Sequence, residues 1–94
     1  MGAVLLLEDR FDLTENEFVE IVIWRVPQPV RGSTHGFEYR MAFISSDVCV
    51  VRSDNEAGKR DHAHIGGQEY PYSFTTVRAL QDDYWAAVEQ WRRK

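Results

Sequence analysis

Two histidines, a lysine, an arginine and two aspartates fall within the run Asp54-Asn55-Glu56-Ala57-Gly58-Lys59-Arg60-Asp61-His62-Ala63-His64. If the chain does chemistry, that run is where it is expected. On a strand, His62 and His64 project to the same side, with Cβ atoms about 7 Å apart, while Asp61 and Ala63 project to the other. Imidazole titrates near neutrality, so each ring can serve as a general acid or a general base. Cleavage of RNA through its 2′-hydroxyl needs both, together with cations to stabilise the charged phosphorane. Lys59 and Arg60 are placed to contact the phosphate and supply that charge, and Asp61 or Asp54 to orient a histidine. This scheme needs no metal and no cofactor. The same His-x-His pair is also half of a metal site, for which Asp54 or Glu69 would be the third ligand of a hydrolase. A plainer reading stands beside both. Asp54, Asn55 and Gly58 are turn residues, and His62 and His64 are then surface side chains on an edge strand that Lys59 and Arg60 guard against aggregation.

The elements that must position this run are legible from periodicity. Residues 3–7 read as a short strand, followed by a polar connection to Asn16. From Glu17 to Val26 apolar residues occupy both parities, which predicts a central strand covered on two faces, stopped by Pro27 and Pro29. Phe37, Tyr39, Met41 and Phe43 alternate with polar or small residues, the cleanest period-two segment in the chain. Ser45-Ser46-Asp47 reads as a hairpin turn and Val48 to Arg52 as the return strand. Gly66-Gly67 lacks the spacing of a phosphate loop and is expected to be a turn between extended segments. Val77, Leu80, Tyr84, Val88 and Trp91 form one apolar stripe on a helix from about Thr76 to Arg92. Thr75 or Thr76 is the expected cap, and Trp85 is expected at the rim of the core. The predicted fold is α+β, an antiparallel meander-like sheet of about five or six strands with one C-terminal helix packed on a face.

Length and composition fit that picture. Ninety-four residues suffice for a single domain, 1–94, and not for two cores. A core this thin is compatible with a homodimer, in which a second subunit adds stability. The net charge of −4 argues against wholesale nucleic-acid binding but leaves room for a local basic site. The lone Cys49, flanked by Val48, Val50 and Val51, is expected to be a buried and inert thiol in a reducing compartment. No apolar run reaches the ~18 residues that cross a bilayer, and the start Met1-Gly2-Ala3-Val4-Leu5-Leu6-Leu7 lacks the positive region of a signal peptide.

Three spaced motifs, His35-Gly36-Phe37-Glu38-Tyr39-Arg40, then Asp54-Asn55-x-x-Gly58-Lys59-x-Asp61-His62-x-His64, then Glu69-x-Pro71-Tyr72-x-Phe74, resemble the TumE-type toxins. The resemblance runs from about residue 35 through the terminal helix. It departs from the family pattern at Ser53, Arg60 and Ala63, where tyrosine, glycine and arginine are expected. What it implies is a toxin component of a prokaryotic toxin–antitoxin module, acting in the cytoplasm and partnered by a helix-turn-helix antitoxin. Endoribonuclease action follows only by analogy with other small sheet-plus-helix toxins. A non-catalytic module that works by binding a protein partner is the alternative.

Overall fold

The computed structural model describes residues 2–94. Six strands run in order along one antiparallel sheet, β1 (Val4–Thr14), β2 (Glu17–Arg25), β3 (Phe37–Ser45), β4 (Val48–Asp54), β5 (His62–Ile65) and β6 (Gln68–Pro71), and the chain closes with α1 (Val77–Arg92). This is the expected α+β meander. Each strand is joined to the next in space as in sequence. The turns follow turn chemistry: Ser46 and Asp47 take positive φ between β3 and β4, and Gly66 does so between β5 and β6.

Burial separates the two faces of the sheet. Val19, Ile21 and Ile23 of β2, Tyr39, Met41 and Phe43 of β3, and Val51 of β4 pack with Leu80, Tyr84 and Val88 of α1 into the core. Thr76 caps the helix, its hydroxyl accepting from Ala79 N–H at 3.0 Å. The Tyr84 hydroxyl donates to the Val51 carbonyl at 3.0 Å, which ties the helix to β4. Trp85 sits at the core rim, edge-on to Phe11 of β1 with ring centroids 5.3 Å apart.

Three expectations are corrected. The polar stretch after Leu7 is strand, not connection: β1 is an edge strand with both faces largely exposed, so Glu8, Asp9 and Asp12 cost nothing in desolvation there. β2 is covered on one face only. Its second apolar set, Phe18, Val22 and Trp24, lies half-buried on the opposite face, where Arg10 stacks over the Phe18 ring at 3.8 Å. Cys49 is exposed, because a bulge in β4 pairs it with Ile44 on the face away from the helix. Partial desolvation of its sulfur still raises the thiol pKa above the ordinary value.

Strand pairing therefore assigns a common face to side chains far apart in sequence. Val22 lies opposite Arg40, Arg40 opposite Asp54, Asp54 opposite His62, and Arg52 opposite His64. All of these project from the face that α1 leaves open. Asp61 has the other parity and turns toward the helix side.

Candidate functional site

The residues of the polar run divide between these two sides. On the helix side, Asp61 is buried and saturated with donors. The Ser33 hydroxyl donates to its Oδ1, and the Tyr39 hydroxyl donates to Oδ2 at 2.9 Å. His35 Nε2 meets the same Oδ2 at 2.6 Å. The Phe37 N–H donates to His35 Nδ1 at 3.2 Å, which fixes the tautomer: Nδ1 accepts and Nε2 carries the proton given to Asp61. The His35 ring stacks on Phe74, centroids 3.8 Å apart. Burial and the bond to Asp61 raise the Tyr39 phenol well above its ordinary pKa, so it remains a neutral donor.

Asn55 completes this knot. It is 0% exposed. Its Oδ1 accepts from the Tyr39 N–H at 2.9 Å, and its Nδ2 donates to the Phe37 carbonyl at 2.7 Å and to the Ser33 hydroxyl at 3.3 Å. The loop before β3 and the loop before β5 are thereby locked together. Gly58, at φ 86°, donates its N–H to the Arg31 carbonyl at 2.8 Å. Gly32, at φ 98°, lies so close to Lys59 that an added Cβ would stand 2.7 Å from its carbonyl oxygen. These backbone contacts set where Lys59 and Arg60 leave the sheet.

On the open face the arrangement differs. His62, in β5, has a side chain only 6% exposed, and its Nε2 lies 2.8 Å from Asp54 Oδ1. Its Nδ1 donates to the Arg60 carbonyl at 2.7 Å. His64 is 30% exposed and lies 3.4 Å from the Glu69 carboxylate. The two imidazoles meet edge to face with centroids 5.0 Å apart. Arg52 Nε is 3.3 Å from Asp54 Oδ2. Distance alone does not make a hydrogen bond: Asp54 Oδ1 and Arg52 Nε are both buried without a partner in hydrogen-bonding direction. Lys59, Arg60, Asp61, His62, Glu69 and Pro71 line one hollow of about 520 Å³ at this end of the sheet. A neighbouring groove of about 600 Å³ runs past Trp24, Glu38, Arg40, Arg52 and Asp54.

Five of the residues singled out from sequence thus gather in two linked places. Lys59, Arg60 and His62 share a hollow with Asp61, and His64 adjoins His62. Both aspartates contact a histidine, but not the same one: Asp54 contacts His62, and Asp61 holds His35. The edge-strand alternative is corrected, because β5 lies inside the sheet between β4 and β6 and His62 is buried. Asn55 is no turn residue but the buried pin just described. Sequence reasoning missed Ser33, His35 and Tyr39 as partners of Asp61, and Phe74 as the ring stacked on His35. The signal was available in part, since His35, Tyr39 and Phe74 all stand within the spaced motifs.

The fold and this site define a class: a small α+β protein that presents an ionisable, half-open sheet face and backs it with one helix. A family model described as toxin TumE matches residues 5–92, nearly the whole chain, and the protein belongs to that family. It is accordingly a toxin component of a toxin–antitoxin module, with an antitoxin as its partner. No curated protein and no solved structure matches it. Among the described residues no helix is long and apolar enough to cross a membrane.

Proposed function

We propose that this toxin cleaves RNA in the cytoplasm, at the open-face pair His62 and His64, and is held in check by a helix-turn-helix antitoxin. One observation carries the reading: Lys59, Arg60 and His62 share a single hollow, next to the second imidazole. A phosphodiester lying there meets two cations and the His62 ring, with the His64 ring beside it. One imidazole takes the proton of the 2′-hydroxyl as that oxygen attacks phosphorus. The bond to the 5′-oxygen breaks, and the second imidazole, protonated beforehand, gives its proton to the departing oxygen. The products are a cyclic phosphate and a free 5′-hydroxyl. Lys59 and Arg60 bind the phosphate and stabilise the charge that builds on it. The Arg60 carbonyl orients the His62 ring, Asp54 pairs with that ring when it is protonated, and Asp61 is a positioning residue that acts through the loop carrying both cations.

A second reading takes the same pair as metal ligands of a hydrolase, and it is favoured by Glu69, whose carboxylate converges on both rings. The test incubates the purified toxin with single-stranded RNA, with and without a chelator. The wild-type chain is expected to cut, and the His62→Ala/His64→Ala variant to leave RNA intact. Cutting that persists in the double variant overturns the site. RNA left intact by the wild-type protein with and without added metal overturns the ribonuclease reading and leaves a toxin that works by binding a protein.

A further inference from the structure

His62 is held by its two ring nitrogens in unlike ways. Nδ1 faces the Arg60 carbonyl at 2.7 Å, an acceptor only, so the proton of the neutral ring sits on Nδ1. Nε2 then carries a lone pair, and it faces a carboxylate oxygen, Asp54 Oδ1, at 2.8 Å. Two lone pairs at that distance repel unless positive charge lies between or beside them. Arg52, 3.3 Å from the other Asp54 oxygen, or a second ring proton can supply that charge, although Asp54 Oδ1 has no aligned hydrogen-bond partner. A metal ion held by Nε2 would supply it as well. With metal–ligand bonds of about 2.0–2.1 Å, two donors on one tetrahedral ion stand roughly 3.4 Å apart, and His64 Nε2 and Glu69 Oε1 lie 3.4 Å apart.

The remaining donors are in place. His62, His64 and Glu69 each offer a ligand atom, and the three atoms lie within 4.8 Å of one another. The hairpin supplies this convergence: His64 and Glu69 are cross-strand partners in β5 and β6, and His62 lies two residues before His64 on the same face of β5. The Nδ1–H to carbonyl bond of His62 is the outer contact that metal-bound histidines characteristically make, orienting the ring and raising its basicity. Glu69 is exposed, so its carboxylate can swing inward to close the set.

We propose that His62, His64 and Glu69 bind one divalent transition-metal ion of the zinc class. Two imidazoles with one carboxylate suit Zn²⁺ and its neighbours rather than the hard all-oxygen cations. The inference rests on the location given above for the site but not on RNA cleavage, and it deepens the second reading of that site, because a His62 ring bound through Nε2 with Nδ1 on the Arg60 carbonyl has no nitrogen left for acid–base work. Its test therefore uses no RNA. The full-length chain, purified without a histidine tag and stripped with chelator, is titrated with Zn²⁺ by calorimetry. Binding of one equivalent per chain is expected. His64→Ala and Glu69→Gln, both at accessible positions that spare the core, are each expected to weaken it about tenfold or more. Cys49→Ser, which removes the exposed thiol as a rival ligand, is expected to leave it unchanged. No stoichiometric binding, binding indifferent to His64→Ala and Glu69→Gln, or loss with Cys49→Ser would each overturn the proposal. Metal binding without RNA cleavage would retain the site and remove the ribonuclease reading. Cleavage that survives chelation, with no metal bound, would do the reverse.

Discussion

Asp61 and His62 are adjacent in the chain, yet pairing sends them to opposite faces of the sheet, and the two faces are built on different terms. Around Asp61 every polar atom has its match: a serine, a tyrosine and a histidine donate to one carboxylate, and Asn55 satisfies the backbone beside them. Around His62 the account does not close. A buried carboxylate oxygen and a buried guanidinium nitrogen lack aligned partners, and a second imidazole and a glutamate stand half in solvent. Buried polar groups left unmatched are costly. A closed network holds a fold together, whereas an open one has capacity left for a ligand. Residue types alone would rank both as candidate active sites; the difference lies in how many of their atoms are already spoken for.

The sharpest way to break the comparison is to remove the carboxylate on the closed side. Asp61→Ala strands the donors of Ser33, His35 and Tyr39 in a buried setting and is expected to cost about 3–5 kcal/mol. That is a large share of the roughly 5–15 kcal/mol that holds a small domain. Chemical denaturation checks it, and an unchanged midpoint would refute the structural role of the knot.

A smaller effect follows from pH. Burial, and for Tyr39 the bond to Asp61, raises the phenol pKa of Tyr39 and Tyr84, and burial with a bond to Asp83 raises that of Tyr72. A pKa raised in the folded state means the protonated form is the one the fold favours. The stability it contributes is complete below the ordinary tyrosine value of about 10 and drains away as pH rises beyond it. Ionisation of these phenols, followed by ultraviolet absorbance, is expected to coincide with loss of the far-ultraviolet circular dichroism. Ionisation near pH 10 with the fold intact would show the closed side to be open.

Much of the scaffold was readable because it follows local periodicity. The stripe from Val77 to Trp91 and the alternation from Phe37 to Phe43 each report one buried face, and both elements are present as read. The edge strand was half missed, since exposure on both faces leaves β1 with no alternation to read beyond Leu7. The His-x-His pair and its candidate partner Glu69 were visible because a tight hairpin keeps them near in sequence. The Asp61 knot was not. His35 lies 26 residues from its carboxylate and Ser33 lies 28, and such contacts depend on how two loops cross rather than on any local pattern. Nor does a sequence show that Asn55, a turn-former by type, is buried beneath Tyr39. Open-face neighbours such as Arg40 and Arg52 emerge only once the register is known.

Expression of His64→Ala beside the wild-type chain in growing cells, at matched protein levels, tests the division of labour most directly. His64 is partly exposed and bonded only to a surface glutamate, so its loss should change stability by less than about 1 kcal/mol. The account predicts a folded, soluble variant that no longer arrests growth. Arrest as strong as that caused by the wild-type protein would place the toxin's working surface somewhere other than the open-face histidines.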